Sequence, residues 1–271
     1  MAVLNLHFFS RSLKREVPFT ALIPLDSPIP SVQEDTIQPL KALYLLHGYS
    51  GTHSDWVSFS RIRELSDRYR IAVIMPSGEN HFYVDDENKG ARYGEYIGKE
   101  LVDFTRKLLP LSSAREDTFI GGLSMGGYGA IRNGYKYADR FGRIIALSSA
   151  LIPYKIANME PGFKDGIADY GYYRSVFGDL TRLLGSEKDP EAIVRRLNEN
   201  GEELPNLYMA CGTEDFLLDV NRRFHDFLER EKIEHTYRES AGSHTWDFWN
   251  ETIADGLKWA LGEPPAFPAA E

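Results

Sequence analysis

A serine hydroxyl is a weak nucleophile, so a chain that uses one must also supply a general base and a group that orients that base. Gly122-Leu123-Ser124-Met125-Gly126 has the Gly-x-Ser-x-Gly pattern of a serine held at a sharp strand-to-helix turn. The pattern alone is weak, because a chain with 23 glycines produces it readily by chance. Its context makes it specific: Thr118 to Gly121 reads as a short buried strand and Met125 to Tyr137 as a helix. Gly121, Gly122, Gly126, Gly127 and Gly129 surround Ser124, and neighbours without a Cβ let strand and helix close together around a strained residue. The competing reading is a glycine-rich turn that binds phosphate at a helix N-terminus.

Of seven histidines, His225, His235 and His244 lie well beyond Ser124. His225 falls inside a predicted helix and His235 leads into a predicted strand, which suits structural roles. His244 sits in Ala241-Gly242-Ser243-His244-Thr245, a loop between the last strand and the last helix, and is the expected base. The orienting acid should follow a strand end. Leu207 to Gly212 runs into Thr213-Glu214-Asp215, and Asp215 is the expected acid, with Glu214 and Asp219 as competitors. Asp219 suits the first turn of the next helix, where a carboxylate complements the helix dipole. Cys211 is expected to pack as a small apolar residue. A developing oxyanion needs two N–H donors. One is the Met125 amide; the other comes from His47-Gly48-Tyr49-Ser50-Gly51, with Tyr49 preferred over Gly48.

Strand-like and helix-like segments alternate along the chain, the signature of an α/β fold. Val3 to Phe9 and Val17 to Pro24 read as a hairpin, and Ala42 to Leu46 and Ile71 to Met75 as strands buried on both faces. Arg143 to Leu147 and Thr236 to Arg238 read as further strands. Glu95 to Leu109, Asp219 to Glu231 and Thr245 to Leu261 read as helices. We expect a single domain over residues 1–262 with an insertion over the end of the sheet at 153–205, and a frayed tail at 263–271. The insertion is rich in Tyr and Phe and contains a helix capped by Asp189, with Pro190 at its first position and Gly201 past its end.

Composition narrows the chemistry. The 271 residues carry 31 Lys and Arg against 40 Asp and Glu, a formal charge of −9. That excludes a basic footprint for nucleic acid and disfavours an anionic membrane surface. One cysteine excludes an intrachain disulfide and a cysteine-built metal site. Without a secretory signal or a bilayer-length apolar run, the expectation is a cytoplasmic protein; a homo-oligomer is compatible with the sequence. His47, His53 and His81 lack the spacing of a zinc site, so no metal and no cofactor are expected. Asp85-Asp86-Glu87-Asn88 is expected to be a solvated acidic turn, because the rest of a calcium loop is missing.

Leu45-Leu46-His47-Gly48-Tyr49-Ser50-Gly51, Gly122-Leu123-Ser124-Met125-Gly126-Gly127, Cys211-Gly212-Thr213-Glu214-Asp215 and Ser243-His244-Thr245-Trp246 together resemble the esterase D-like, or tributyrin esterase, branch of the α/β-hydrolases, over about Val3 to Leu261. The resemblance implies a mostly parallel central sheet with helices on both faces, and Ser124 as nucleophile, Asp215 as acid and His244 as base. It places the oxyanion hole at the Tyr49 and Met125 amides. It further implies hydrolysis of small acyl esters, sometimes on acetylated or feruloylated sugars, without a cofactor; some relatives hydrolyse S-formylglutathione. Trp56 and Trp246 are candidates to line an acyl or alcohol pocket, with core packing as their competing role. The expected function is a serine carboxylesterase for acetyl to butyryl groups. The alternatives are a thioesterase or acyltransferase with the same three residues, and, from another class, a non-catalytic binding protein on a hydrolase fold.

Overall fold

In the computed structural model, which describes residues 1–26, 39–86 and 90–263, the continuous apolar runs become the inner strands of one sheet. The strands are β1 (Ala2–Ser10), β2 (Arg15–Ile23), β3 (Ala42–Leu46), β4 (Ala72–Pro76), β5 (Asp85–Asp86), β6 (Ala91–Arg92), β7 (Thr118–Leu123), β8 (Arg143–Leu147), β9 (Asn206–Gly212) and β10 (Thr236–Ser240). Eight of them form a sheet in the order β1-β2-β4-β3-β7-β8-β9-β10. β1 and β2 are an antiparallel hairpin added to one side, and from β4 through β10 every pairing is parallel. β5 and β6 pair separately as a two-residue ribbon.

Side chains alternate across this sheet, as a pleated strand requires. Tyr44, Ile120 and Ile144 enter one core cluster, while Leu43, Phe119 and Ile145 enter the other. Helices cover both faces. They are α1 (Asp55–Phe59), α2 (Ile62–Tyr69), α3 (Tyr93–Glu95), α4 (Leu101–Leu108), α5 (Met125–Lys136), α6 (Pro153–Ile156), α7 (Tyr170–Phe177), α8 (Pro190–Glu199), α9 (Leu218–Arg230) and α10 (Trp246–Leu261). Ile62 and Leu65 of α2 and Ile253 and Leu257 of α10 fill one face. Val102 of α4, Ile131 of α5, Val194 of α8 and Phe224 of α9 fill the other.

The structure corrects the sequence reading at several places. The helix expected from Glu95 to Leu109 begins as α3, widens into a π-helical turn at Tyr96–Glu100, and continues as α4. The wide turn serves a contact: Glu100 accepts hydrogen bonds from the Ser10 hydroxyl at 2.6 Å and from the Arg11 and Ser12 amides, closing the β1–β2 turn. α1 and α2 were not expected. The 153–205 segment holds α6 and α7 besides the expected α8, whose Asp189 cap accepts from the Glu191 amide. Asp85 is not a solvated turn residue. It is buried against Lys136 at 3.0 Å and Arg132 at 3.5 Å. Glu87, Asn88 and the tail from residue 264 onward lie outside the described residues.

Candidate active site

β7 ends at Leu123 and α5 begins at Met125, so Ser124 is the whole turn between them. It takes φ 54° and ψ −118°, a region that costs a non-glycine residue about 1–3 kcal/mol unless its surroundings fix it. They do: the Ser124 amide donates to the Leu147 carbonyl at 2.9 Å, and its own carbonyl accepts from the Tyr128 and Ala150 amides. Glycine is required at 126, since a Cβ there would press on the carbonyl oxygens of Leu46 and His47. The turn leaves the Ser124 side chain uncommitted to the helix and only 8% exposed.

The loops after β9 and β10 bring the other two residues to it. His244 Nε2 lies 3.0 Å from Ser124 Oγ, and His244 Nδ1 lies 2.9 Å from Asp215 Oδ2. A carboxylate only accepts, so Nδ1 carries the proton and the Nε2 lone pair faces the serine hydroxyl. Burial alone would raise the Asp215 carboxyl. Hydrogen bonds from His244 and the Leu217 amide, with the Ser148 hydroxyl, outweigh it and hold the group below the usual carboxylate range. Ser148 also accepts from Trp249 Nε1 at 3.0 Å, so the acid has a support that motif reading missed. The imidazole is flanked by the rings of Phe216 at 4.6 Å and Trp249 at 4.9 Å. The competitor acids go elsewhere: Glu214 accepts from the Gly242 amide at 3.1 Å and Asp219 sits in the first turn of α9.

The Tyr49 and Met125 amides have no acceptor among the described backbone and side-chain hydrogen bonds. The peptide that carries the Tyr49 N–H is clamped from its other side. The Gly48 carbonyl accepts from His47 Nδ1 at 2.7 Å and from the Gly51 amide at 3.1 Å. His47 Nε2 accepts from the Gly78 amide, and burial holds this imidazole below its ordinary range, in the neutral form that both bonds need.

A cavity of about 780 Å³ opens over Ser124. Gly48, Tyr49, Met125 and His244 line its floor, Trp246 and Trp249 one wall, and Met159, Phe163 and Tyr173 of the 153–205 segment another. Trp246 is therefore on the wall. Trp56 is not: it is 1% exposed, donates Nε1 to the Leu46 carbonyl, and meets Trp246 edge to face at 5.2 Å. Its large ring supports the wall from within the core, which corrects the expectation of a direct substrate contact. Cys211 is buried under the same strand end, where burial pushes its thiol up to about 12 and disfavours the thiolate that a nucleophile needs. His47, His53 and His81 form no ligand cluster among the described residues.

A mostly parallel sheet of this order, with a serine at its central strand–helix turn and helices on both faces, is the α/β-hydrolase fold of the serine hydrolases. The chain belongs to the Esterase family, described as "Putative esterase", whose model matches residues 10–260. It is 50% identical over 260 residues to an acetyl esterase of Caldicellulosiruptor saccharolyticus, covering 96% of this chain and 98% of that one. Among solved structures it resembles a fluorophosphonate-binding serine hydrolase of Staphylococcus aureus, with 27% identity, a TM-score of 0.84, and coverage of 97% and 99% of the two chains. An S-formylglutathione hydrolase of the same organism is 28% identical, with a TM-score of 0.82 and coverage of 96% and 98%.

Proposed function

We propose that this esterase is a serine carboxylesterase that hydrolyses short acyl esters, acetyl foremost, through an acyl-enzyme on Ser124. The observation that carries the reading is the unbroken hydrogen-bond chain from Ser124 Oγ through His244 to Asp215, at 3.0 and 2.9 Å. His244 Nε2 takes the hydroxyl proton as Oγ attacks the ester carbonyl carbon. The carbonyl oxygen becomes an oxyanion held by the Tyr49 and Met125 amides. The tetrahedral intermediate collapses, the C–O bond to the alcohol breaks, and the imidazolium returns its proton to the leaving alkoxide. Water then attacks the acyl-enzyme with His244 again as base, releasing the acid and restoring Ser124. Asp215 stays a carboxylate throughout and keeps the imidazole in the competent tautomer.

The acetyl assignment draws on the 50% identical acetyl esterase. The cavity of about 780 Å³ is far larger than an acetyl group and falls in the usual range for small-molecule sites, so its surplus receives the alcohol portion. The 153–205 segment is the roof of that alcohol site and part of the one domain spanning residues 1–262. Its Lys155 and Asp165 also reach the cavity, so the roof is not the broad apolar lid that seats on lipid.

The test is a series of p-nitrophenyl esters of rising acyl length, run beside S-formylglutathione and with a fluorophosphonate probe. A kcat/KM maximum at about two to four acyl carbons and a fall of at least tenfold by about eight is expected, because each methylene gains about 0.8 kcal/mol only while room remains and overfilling costs about 1–3 kcal/mol. A maximum at eight or more carbons overturns the short-acyl reading. Preference for the thioester makes the protein a thioesterase, and failure of the probe to label Ser124 makes it a binding protein.

A further inference from the structure

The helix that follows the candidate acid carries a second cluster of protein ligands, at the opposite end of the sheet. His225 and Glu229 are one turn apart on α9 and so share a face. His235 stands in the turn between α9 and β10, which folds back because Lys232 takes φ 57° and the Ile233 amide closes on the Leu228 carbonyl. His225 Nδ1 lies 2.7 Å from His235 Nε2, and Glu229 Oε1 lies 4.0 Å from that same Nε2. All three ligand atoms fall within 4.8 Å of one another.

The tautomers follow from the neighbours. His235 Nδ1 is 2.8 Å from the Ile233 carbonyl oxygen, which can only accept, so the proton is on Nδ1 and the Nε2 lone pair faces His225 and accepts from its Nδ1–H. This is the arrangement found behind metal-bound histidines, where the outer N–H is fixed by a backbone carbonyl. The His235 side chain is 1% exposed, so its orientation is set by packing. The His225 ring lies flat on Tyr237 at 4.7 Å and 26°, which fixes its plane as well. The Glu229 side chain is 66% exposed. The cluster thus has two imidazole nitrogens that already face one another and an exposed carboxylate beside them.

We infer that His225, Glu229 and His235 bind one borderline divalent cation of the zinc type. Two nitrogens and one carboxylate oxygen suit zinc; magnesium and calcium prefer oxygen alone. With metal–nitrogen bonds of about 2.0–2.1 Å at a tetrahedral angle, the two nitrogens stand about 3.4 Å apart. His225 must therefore retreat by a fraction of an ångström and shift its proton to Nε2. No covalent chemistry is involved, and the site lies apart from the candidate active site: His235 precedes β10 and His244 follows it, some five strand residues away. The cation clips the edge strand β10 to α9 and acts on stability, not on turnover.

Chelator-stripped protein titrated with zinc chloride in a calorimeter, with magnesium as control, tests this. One equivalent of zinc is expected and no magnesium, with Tm rising by about 5 °C at a hundredfold excess over Kd and kcat on p-nitrophenyl acetate unchanged. His225→Phe keeps the ring over Tyr237 but lacks the nitrogen, and should lose both the equivalent and the Tm shift. Glu229→Gln, at a position where the side chain is 66% exposed, should weaken zinc at least tenfold. Retention of the full equivalent and shift in Glu229→Gln and His225→Phe, or absence of zinc uptake by the unaltered protein, overturns the site and leaves the two imidazoles as a hydrogen-bonded pair.

Discussion

On the proposed mechanism Ser124 gains its reactivity only when His244 accepts its proton, so the two act as one unit and their losses do not add. Ser124→Ala should lower kcat on p-nitrophenyl acetate by about three to six decades, and Asp215→Asn by as much or somewhat less, with folding intact by circular dichroism. Near-native turnover in Ser124→Ala would remove the serine from the mechanism. The Asp215 carboxyl is held below the usual carboxylate range despite burial, by His244 and the Leu217 amide. It therefore remains ionised as pH falls through the range in which imidazoles take up protons. The acidic limb of kcat/KM should report one proton only. A limb that steepens to two protons would show the carboxylate titrating with the imidazole. Ser148 supports Asp215 without touching substrate, so Ser148→Ala should cost about tenfold in kcat and leave KM unchanged. A change in KM instead would place Ser148 in the cavity's binding surface.

At the scale of elements, the site depends on how closely the loop after β10 approaches the end of β9. A Cβ on Gly212 would run into the Gly242 carbonyl, in the loop that carries His244. Gly212→Ala should push His244 away from Ser124 and lower kcat/KM by about a hundredfold, a loss typical of an ångström-scale misplacement. Unchanged kcat/KM would mean that the loop adapts. The same elements explain what was legible beforehand. Inner strands such as β3 and β8 announce themselves as continuous apolar runs, and α8 by its Asp189 cap and Pro190. The residues of the candidate triad were readable because each sits just past a strand, in a fixed chain order. α1 is five residues long and gives no helical period to read. α7 is built from Tyr170-Gly-Tyr-Tyr, whose residues look like loop or strand, and only the Asp169 cap and packing decide for a helix. Trp56 and Trp246 are indistinguishable as residues, and only the packing sends one inward and the other to the cavity wall. Asp85 misled because its partner Lys136 is 51 residues away, beyond any local pattern.

Across the whole molecule, Asp85 ties the β5 ribbon to α5, whose Arg132 is completely buried and also reaches Glu187. Without Asp85, Arg132 and Lys136 are left with Glu187 alone, whose side chain is 42% exposed, so Asp85→Ala should cost about 1–3 kcal/mol. That corresponds to a Tm drop of roughly 5 °C at this chain size, by calorimetry. Burial opposes the Asp85 charge, yet Arg132 and Lys136 hold its carboxyl below the usual range. Its folded-state value is thus lower than its unfolded one, near 3.9. The stabilisation is complete above about pH 4 and is lost as pH falls through the folded value. Melting curves of Asp85→Asn should accordingly be less steep in pH below about 4 than those of the unaltered protein. Parallel slopes would assign acid sensitivity to other carboxylates. The three residues of the candidate triad follow β7, β9 and β10, the last an edge strand. During synthesis, with N-terminal parts folding first, the ribosome releases Ser124 long before His244. A chain stopped anywhere short of His244 holds Ser124 without its proposed base. On the proposed mechanism, ester cleavage begins only after β10 has docked beside β9.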